Sequence, residues 1–435
     1  MVRRSVLVLA LFLAVFTVKA ATLSVNGGRS YKYDPNVSMG LNMGVYVVSV
    51  GDVLTISFTS ESSAAMQMYR FPPAGISAKE PVSGAVQTGN TITLSGGARD
   101  YGYCIEQDGS ASSYFWISSY IPVSALENDY TYTNVCMSAR VTGTGITIPY
   151  YSIYGIEGAV PRKISYYTWV WNEQTLMPDK DVEIEEEVIP SNDDKIVVDS
   201  PYEKTLFTII DDMPVRWGGR STEISTPDEF VPKAIFMQGV VTQTERGVPN
   251  EIKINVGDGV YGGSAPVEMV FKAYVNEDNY FAWQFFRSAI GADDPDPVID
   301  AIYATSTLNY TFKETGTTYV RLHSQNSSCS KDVTYTIVVG ESFIDAPNAF
   351  SPGTSPGVND EWRVAYKSIV EFNCVIFDRW GVEVCRFSDP SIGWDGYYHG
   401  KLAPPGVYFY VIKARGSDGK DYRLKGDINI IRGKN

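Results

Sequence analysis

Residues that could support catalysis are few and scattered in this 435-residue chain. The pentapeptide GTSPG (353–357) matches the G-x-S-x-G pattern of a nucleophile elbow. Such an elbow needs a strand directly before the serine and a helix directly after it, and Pro356 and the all-β surroundings provide neither. The two histidines, His323 and His399, each lack a Cys or His at the spacing of a metal site or a triad. We therefore predict no catalytic, cofactor-binding or metal-binding residue, and a protein that is not an enzyme.

Acidic segments are the remaining candidates for a metal site. DDPDPVID (293–300) could gather carboxylates around Ca²⁺, which takes six to eight oxygen ligands, but it has neither the ligand spacing of an EF-hand nor a glycine at the turn. A solvated acidic loop is the favoured interpretation, as it is for the run Glu185–Glu187. The chain also shows no phosphate loop and no interleaving of aromatic and basic residues typical of nucleic-acid binding.

Cysteine spacing suggests a disulfide. Cys374 and Cys385 are equidistant from Arg379 and Trp380 at the centre of a predicted hairpin turn, so a regular hairpin would set them directly opposite each other. Cross-strand Cα atoms lie ~4.5–5.5 Å apart, within the range of a disulfide. A Cys374–Cys385 bridge and two solvent-facing thiols are equally favoured. Cys104 and Cys136 could also pair, which would leave Cys329 as an inert thiol.

Strands, with almost no helix, are the elements that must position these residues. In GDVLTISF (51–58), Leu54, Ile56 and Phe58 fall on one face, and NTITLSG (90–96) alternates in the same way. Short alternating runs separated by Gly, Pro, Ser and Asn predict an all-β protein of tandem immunoglobulin-like β-sandwiches. The predicted units are a signal peptide (1–20), an immunoglobulin-like domain (22–123), an irregular β domain with an acidic insertion (130–260), a third sandwich (262–340) and a C-terminal sandwich (345–435).

The N-terminus has the layout of a Sec signal peptide. Arg3 and Arg4 precede an apolar run from Val6 to Phe16, and a small-residue site follows, which predicts cleavage after Ala20. That run is about half of the ~20 residues a spanning helix needs, and no later segment qualifies, so we expect no membrane span.

Charge is distributed unevenly along the chain. The formal net charge is −14, and three basic residues lie in the signal peptide, so the mature chain is near −17. From Ala346 onward there are 12 Lys and Arg against 10 Asp and Glu, so an acidic body carries a weakly basic C-terminal module. The acidic balance argues against nucleic acid as a partner.

Four segments near the C-terminus follow a fixed order: IDAPNAFSPGTSPGVNDEW (344–362), FNCVIFDRWGVEVCRF (372–387), GWDGYYHGKLAPPGVYFYVIKA (393–414) and GDINIIR (426–432). Together they resemble the gliding-motility-associated, type B C-terminal sorting domain of the Bacteroidota type IX secretion system. The residues that carry the resemblance are Pro347, Asn348, Phe350, Asn359, Asp360, Phe377, Arg379, Trp380, Gly381, Trp394, Asp395, Gly396, Gly406, Tyr408, Tyr410 and Gly426. The loop 353–357 departs from the family pattern because it lacks the family's aspartates.

The third unit resembles the PKD-like modules of bacterial surface proteins, through Trp283 and the strand that begins with Gly316–Val320. Together the resemblances imply a non-enzymatic surface or secretion-system-associated protein, in one variant a PorA-type protein. The chain would be exported by Sec and then by the type IX system through its folded C-terminal domain. Implied partners are outer-membrane translocon components or a PorP/SprF-like barrel, and the implied location is the cell surface or the medium, with outer-membrane association. The alternative is a secreted hydrolase cargo whose active site lies in the 130–260 unit.

Overall fold

The computed structural model describes residues 21–35, 43–276, 279–354 and 357–431. The predicted signal peptide lies outside these residues. The described chain is built from strands, loops and short 3-10 turns at Asn26–Gly28, Ile76–Ala78 and Met213–Trp217. None of its helices has the length and apolar character needed to cross a membrane. The chain divides into two compact units: unit 1 runs to Trp169 and includes Lys180–Pro232, and unit 2 consists of Val170–Asp179 and the chain from Lys233 onward.

The first domain of unit 1 is a sandwich of two sheets. Its strands are β1 (Thr22–Val25), β2 (Tyr31–Tyr33), β3 (Gly44–Val48), β4 (Thr55–Thr59), β5 (Met66–Phe71), β6 (Glu80–Pro81), β7 (Val86–Thr88), β8 (Thr91–Ser95), β9 (Tyr101–Gln107) and β10 (Ser110–Ser119). The sheet orders are β1-β4-β8-β7 and β2-β3-β10-β9-β5-β6. As the alternation predicts, Leu54, Ile56 and Phe58 are buried, and Phe58 lies opposite Ile92 of β8.

The six-stranded sheet is covered on both faces. Phe115 and Ile117 of β10 join the core between the two sheets. Trp116, which points the other way, packs with Val45 in a separate cluster that includes Ile148 of the following domain. Because both faces are buried, the central strands are apolar at successive positions, and simple alternation does not apply to them.

The second domain belongs to unit 1 except for Val170–Asp179, and it contains β11 (Ala125–Asn128), β12 (Ser138–Thr144), β13 (Pro149–Tyr151), β14 (Glu157–Ala159), β15 (Arg162–Asn172), β16 (Met177–Val188), β17 (Lys195–Asp199), β18 (Thr208–Asp211) and β19 (Thr222–Ser225). The sheet orders are β11-β12-β17, β13-β14 and β16-β15-β18-β19. Ile164, Phe207 and Ile209 lie in the core, which Ile184 and Val188 of β16 cover from the edge. The predicted acidic insertion is therefore largely a regular edge strand.

Unit 2 begins with the third sandwich. Its strands are β20 (Met237–Gln243), β21 (Tyr261–Gly263), β22 (Val267–Val275), β23 (Tyr280–Phe286), β24 (Ile299–Tyr303), β25 (Thr307–Phe312), β26 (Gly316–Gln325) and β27 (Ser330–Val339). The sheet orders are β20-β22-β25 and β21-β27-β26-β23-β24, and Trp283 is fully buried between them beside Phe271. Because β20 pairs with β22, its residues belong to this sandwich, although the sequence pattern assigned them to the 130–260 unit.

The terminal domain of unit 2 is built on one five-stranded sheet. Its strands are β28 (Phe343–Asp345), β29 (Ala349–Phe350), β30 (Ala365–Lys367), β31 (Ile369–Phe377), β32 (Glu383–Phe387), β33 (Tyr397–Tyr398), β34 (Lys401–Leu402), β35 (Gly406–Gly416) and β36 (Asp421–Ile430). The main sheet has the order β29-β36-β35-β31-β32, and β28-β30 and β33-β34 are two-stranded. Long loops carrying Trp362 and Trp394 cover one face of the main sheet and close the core.

Candidate recognition site in the terminal domain

One group of the motif residues forms the core of the terminal domain. Trp362 and Trp394 exchange backbone hydrogen bonds of 2.8 and 2.9 Å, and their indole N–H groups donate to the carbonyls of Pro347 (2.6 Å) and Tyr397 (3.0 Å). The Trp394 ring lies 5.4 Å from Phe350 and 5.1 Å from Tyr408, between ring centroids. Because each indole N–H has an acceptor, both tryptophans are buried at little polar cost. These residues fix the fold.

The loop that departs from the family pattern is organised by Asp360. Its carboxylate accepts hydrogen bonds from the N–H groups of Gly353 (3.1 Å) and Gly357 (2.5 Å). Asn359 adopts a left-handed conformation, with φ of 55°, and its carbonyl accepts from the N–H of Ser351 at 2.9 Å. Backbone donors thus occupy the Asp360 oxygens. The serine of the G-x-S-x-G pattern lies outside the described residues.

Other motif positions shape turns and strand contacts. Asp395 accepts from the N–H of Tyr397 (2.9 Å), as predicted for an Asx-type turn, and Gly396 continues that turn with φ of 78°. A Cβ on Gly426 would lie 2.8 Å from the Tyr410 hydroxyl, its cross-strand partner on β35. Asn348 contributes its carbonyl, which accepts from the N–H of Asn429 at 2.9 Å and so holds β29 against β36.

A second group of motif residues lies at the tip of the β31–β32 hairpin. Asp378 accepts hydrogen bonds from the N–H groups of Trp380 and Val382, both at 2.9 Å, and Gly381 has φ of 83°, a conformation that favours glycine. Trp380 is 77% exposed, and the Arg379 guanidinium lies 5.0 Å from the centre of its ring. A structured turn therefore presents an aromatic ring and a cation to the solvent.

Gly406, at the start of β35, leaves space for the Arg379 side chain at the hairpin tip. Its φ is 149°, and a Cβ there would approach Arg379 Nη2 to 3.4 Å. Phe377 lies opposite Phe409 of β35 in the sheet register. The structure thus brings Phe377, Arg379, Trp380, Gly381 and Gly406 together at one end of the sheet and places Phe350, Trp362, Trp394 and Tyr408 in the core.

The predicted disulfide between Cys374 and Cys385 is wrong: both are free thiols. Cys374 lies opposite Phe387, and Cys385 opposite Ile376, two residues away from the predicted register. A turn that closes between Asp378 and Val382, and a bulge between Ile376 and Phe377, produce this shift. The thiols do not both face solvent either, because Cys374 is buried in the core and Cys385 is half-buried.

The other cysteine predictions also need correction. Cys104 is a free, buried thiol, so it does not pair with Cys136. Cys136 and Cys329 are both disulfide-bonded, so Cys329 is not a leftover thiol. Burial raises the pKa of Cys374 to about 12 and that of Cys104 to about 11. Neither thiol is therefore a good nucleophile near neutral pH.

The outer face of the terminal sheet was not predicted as a feature. Along β35, Tyr408, Ile412 and Ala414 point into the core, whereas Val407, Phe409 and Val411 point outward and are each more than 40% exposed. Lys413 and Arg415 continue the same outer row. The sequence does indicate this face, because every second residue of a strand lies on the same side of the sheet. Lys413 and Arg415 therefore lie on the side of Val407, Phe409 and Val411 and mark it as the solvent face.

Hydrogen bonds join the third sandwich to the terminal domain, another feature that no sequence pattern indicates. Asn250 donates through its side chain to the carbonyls of Val364 and Pro390, both at 2.8 Å. Ser368, fully buried with φ of 51°, accepts from the N–H of Ala265 (3.1 Å) and donates its own N–H to Ser264 (2.7 Å).

A third contact closes the same junction. The N–H of Thr315 donates to the carbonyl of Ser417 at 3.1 Å, and the Ser417 hydroxyl donates to the carbonyl of Gly340 at 3.0 Å. Ser342, in the short connection between the domains, donates to Asp418 at 2.7 Å. Three segments of the third sandwich and its connection therefore contact the terminal domain.

Polar groups of the 130–260 unit have structural partners. Arg162 and Asp211 form a buried ion pair of 3.3 Å, and Tyr120 donates to the same carboxylate at 2.8 Å. Burial lowers the pKa of Arg162, and this guanidinium also donates to the carbonyls of Ile146 (2.7 Å) and Gly145 (2.8 Å). This ion pair and these hydrogen bonds hold neighbouring loops together.

Glu203 is the other carboxylate of interest in that unit. Burial raises its pKa, but it accepts hydrogen bonds from the Trp169 indole (3.1 Å) and the N–H of Asp181 (3.0 Å). Among the residues that the structure describes, no group of three or more His, Cys, Asp or Glu could hold a metal. The hydrolase alternative gains no support from these contacts.

Each histidine contacts a neighbouring side chain. His323 Nδ1 is 2.6 Å from Asp332 Oδ1 on the surface hairpin formed by β26 and β27. His399 lies in a turn, with φ of 46°, and packs against the ring of Tyr398 at 4.1 Å between centroids.

Comparison with known families gives one match. The model of the "CHU_C Type IX secretion signal domain" family matches residues 344–430, the whole terminal domain described above. This confirms the resemblance found in the sequence. No curated protein matches the chain.

Solved structures give weaker likenesses. A tetra-tandem repeat from the extending region of a large adhesion protein is 11% identical, with coverage of 89% of this chain and 99% of that one and a TM-score of 0.20. Sidekick-1 immunoglobulin domains 1–5 are 11% identical, with 89% and 78% coverage and a TM-score of 0.25. Latent PorU from Porphyromonas gingivalis is 8% identical, with 75% and 36% coverage and a TM-score of 0.17. These TM-scores carry no functional conclusion.

Proposed function

We propose that this chain, which ends in a type IX secretion signal domain at residues 344–430, is a non-enzymatic protein displayed at the cell surface or held at the secretion machinery. The folded terminal domain would be recognised in the periplasm after Sec transport. The observation that carries this proposal is the division of the motif residues into a buried group that builds the domain and an exposed group at the β31–β32 tip. A recognition signal needs both a defined shape and groups that a partner can reach.

The hairpin tip is suited to partner recognition. Trp and Arg are enriched among residues that dominate protein interfaces, because a large ring buries much surface for little loss of conformational freedom and a guanidinium offers five N–H donors in a planar fork. Here Arg379 and Trp380 are exposed on a turn that Asp378 and Gly381 hold in place. The partner we propose is an outer-membrane component of the type IX machinery, of the translocon or of the PorP/SprF-like barrel class.

Localisation in the native bacterium tests the export role. We would compare the wild type, a chain truncated after Glu341, and the double variant Arg379→Ala/Trp380→Ala by surface proteolysis and fractionation. The truncated chain and the double variant should accumulate in the periplasm while the wild type reaches the surface or the medium. Surface delivery of the truncated chain would contradict the proposal.

A matched control distinguishes the loss of the tip residues from the loss of exposed apolar side chains elsewhere. Ile290 and Val298 are 76% and 81% exposed on the third sandwich, so Ile290→Ala/Val298→Ala removes exposed apolar surface away from the tip. This control should reach the surface like the wild type. Copurification of the outer-membrane partner with the wild type and the control, but not with Arg379→Ala/Trp380→Ala, would support recognition through the tip.

A further inference from the structure

The last strand of the terminal domain has an open edge. β36 pairs with β35 along its whole length, but on its other side β29 pairs only with Asn429 and Ile430. Among the described residues, no strand pairs with that side of β36 between Asp421 and Ile428. An open edge presents unpaired backbone donors and acceptors that an extended segment can join.

The exposed row of β36 at this open edge has two basic side chains, Arg423 and Lys425, at its centre, and Asp421 and Asp427 on either side of them. Lys413 of β35 lies directly opposite Arg423 of β36, and Lys425 lies opposite Val411. All three basic side chains are exposed, and among the described residues none of them forms an ion pair with a carboxylate. Like charges directly opposite each other in a sheet destabilise it, so this cluster costs stability within the domain. An acidic strand at the open edge would relieve that repulsion.

Unit 1 presents a strand of matching chemistry. β16 is an edge strand that turns Ile184 and Val188 toward the core and Glu183, Glu185 and Glu187 toward the solvent. Residues two apart along a strand are separated by ~6.6–6.8 Å, so the spacing of its carboxylates equals that of Arg423 and Lys425. Its neighbour Lys163 also interacts electrostatically with Glu185 and Glu187, but this single amine bonds to Asp212 at 3.0 Å and cannot balance three carboxylates.

We propose that β16 of one molecule docks on the open edge of β36 of a second copy. The glutamates would lie beside Arg423 and Lys425, with Lys413 one strand further away, and the backbones would extend the terminal sheet by one strand. Like charge disfavours pairing of β16 with a second β16, whereas Arg423 and Lys425 of β36 attract its glutamates. The contact joins two different surfaces, so copies associate head-to-tail, as open chains or as closed rings. It does not depend on the export role proposed above.

The test uses the mature chain, residues 21–435, in sedimentation velocity and light scattering over a range of concentrations. We expect an average mass that rises with concentration at 0.1 M salt and falls to the monomer at 1 M, where the screening length shrinks from about 10 Å to about 3 Å. The apparent dissociation constant should increase by about tenfold or more between these conditions, as expected for several exposed charge pairs. A monomer at every concentration would overturn the proposal. This outcome includes the case in which β16 docks on β36 of the same molecule.

Charge reversal makes the test specific. The face variant Lys413→Glu/Arg423→Glu/Lys425→Glu and the strand variant Glu183→Lys/Glu185→Lys/Glu187→Lys should each be monomeric alone and should associate when mixed. A control, Lys204→Glu/Arg220→Glu/Lys272→Glu, changes the net charge as the face variant does but at other exposed sites, and should associate like the wild type. Circular dichroism and thermal melts establish that each variant is folded. Failure of the folded variants to associate on mixing, or equal loss in the control, would refute the proposed pairing.

Discussion

Two tryptophans of the terminal domain, Trp394 and Trp380, lie in opposite environments. Trp394 is 1% exposed, with a hydrogen-bonded indole and aromatic neighbours, whereas Trp380 is 77% exposed on a turn. Both belong to the segments that match the secretion signal family. The difference shows that the matched segments contain both residues that build the domain and residues whose large side chains stay exposed to solvent, and the two kinds of residue should respond differently to mutation.

Replacing the buried tryptophan should have the largest effect on stability. We expect Trp394→Ala to lower the free energy of unfolding of the terminal domain by about 3–5 kcal/mol, because it leaves a cavity beside Phe350 and Tyr408. Urea denaturation followed by tryptophan fluorescence measures this, with Trp362→Phe as a milder core substitution. A loss below about 1 kcal/mol would show that the ring does not support the core.

Gly396 should give the next largest effect. Its φ is 78°, and a Cβ would lie 2.9 Å from Pro352 Cγ and 3.3 Å from Phe350 Cζ, so Gly396→Ala combines backbone strain with a clash. We expect a loss of about 2–3 kcal/mol. Gly400→Ala is the matched control, because φ there is 75° and no atom lies within 4 Å of the new Cβ. It should cost about 1 kcal/mol, and equal losses in the two variants would argue against the clash.

The loop around Asp360 should contribute less. Asp360→Ala removes the acceptor of two backbone N–H groups, those of Gly353 and Gly357. Because the loop is exposed and water can replace the carboxylate, we expect a loss of about 1–2 kcal/mol. Asp360→Asn keeps one acceptor oxygen and should retain part of that stability in the same denaturation experiment. If Ca²⁺ raised the melting temperature of the wild type but not of Asp360→Ala, the main role of the carboxylate would be to bind Ca²⁺ rather than to accept hydrogen bonds from the loop.

Asp418, at the junction with the third sandwich, gives a pH-dependent effect. Burial acts to raise the pKa of Asp418, but hydrogen bonds from Ser342 and from the Lys420 N–H outweigh it and lower the pKa from the usual 3.8. A lowered carboxylate pKa stabilises the fold above pH ~4, and this contribution is lost as the pH falls through the folded-state value. The stability difference between wild type and Asp418→Asn should therefore be larger at pH 7 than at pH 3. It should shrink at pH 7 in a Ser342→Ala background; a difference independent of pH would contradict this account.

Trp380→Ala should have the smallest effect on stability and a large effect on export. A ring that is 77% exposed contributes within about 0.5 kcal/mol, so denaturation curves should nearly coincide with those of the wild type. Export should nevertheless fall, as measured by the ratio of surface to periplasmic protein. Wild-type export of the variant would show that the exposed group of motif residues is not required for recognition.

The local features of the terminal domain were predictable from sequence. Alternation identified β35 and β36, and the turn residues Asp378 and Gly381 located the β31–β32 hairpin. The pairing register was not predictable, because a bulge depends on how β31 packs between β32 and β35, and the predicted Cys374–Cys385 disulfide failed for that reason. The burial of Trp394 and the Asx-type turn at Asp395 are what these residue types favour at the start of a turn.

Features that depend on contacts distant in sequence escaped prediction. The side chain of Asn250 reaches carbonyls more than 100 residues away, at Val364 and Pro390, and no local pattern marks such a role. The open edge of β36 likewise depends on where β29 stops pairing. The basic face could be recognised only once the register had placed Lys413 opposite Arg423.

The junction around Ser368 has a mechanical consequence. Hydrogen bonds from Asn250, Ser368 and Ser417 connect the third sandwich and the terminal domain in parallel. A pulling force applied to the third sandwich is therefore shared among several bonds instead of being borne by the connecting chain alone. Under a pulling force, these two domains should move as one body and should separate only when these hydrogen bonds break together. If the molecule were attached through its terminal domain, force on the third sandwich would reach that attachment with little extension of the connecting chain.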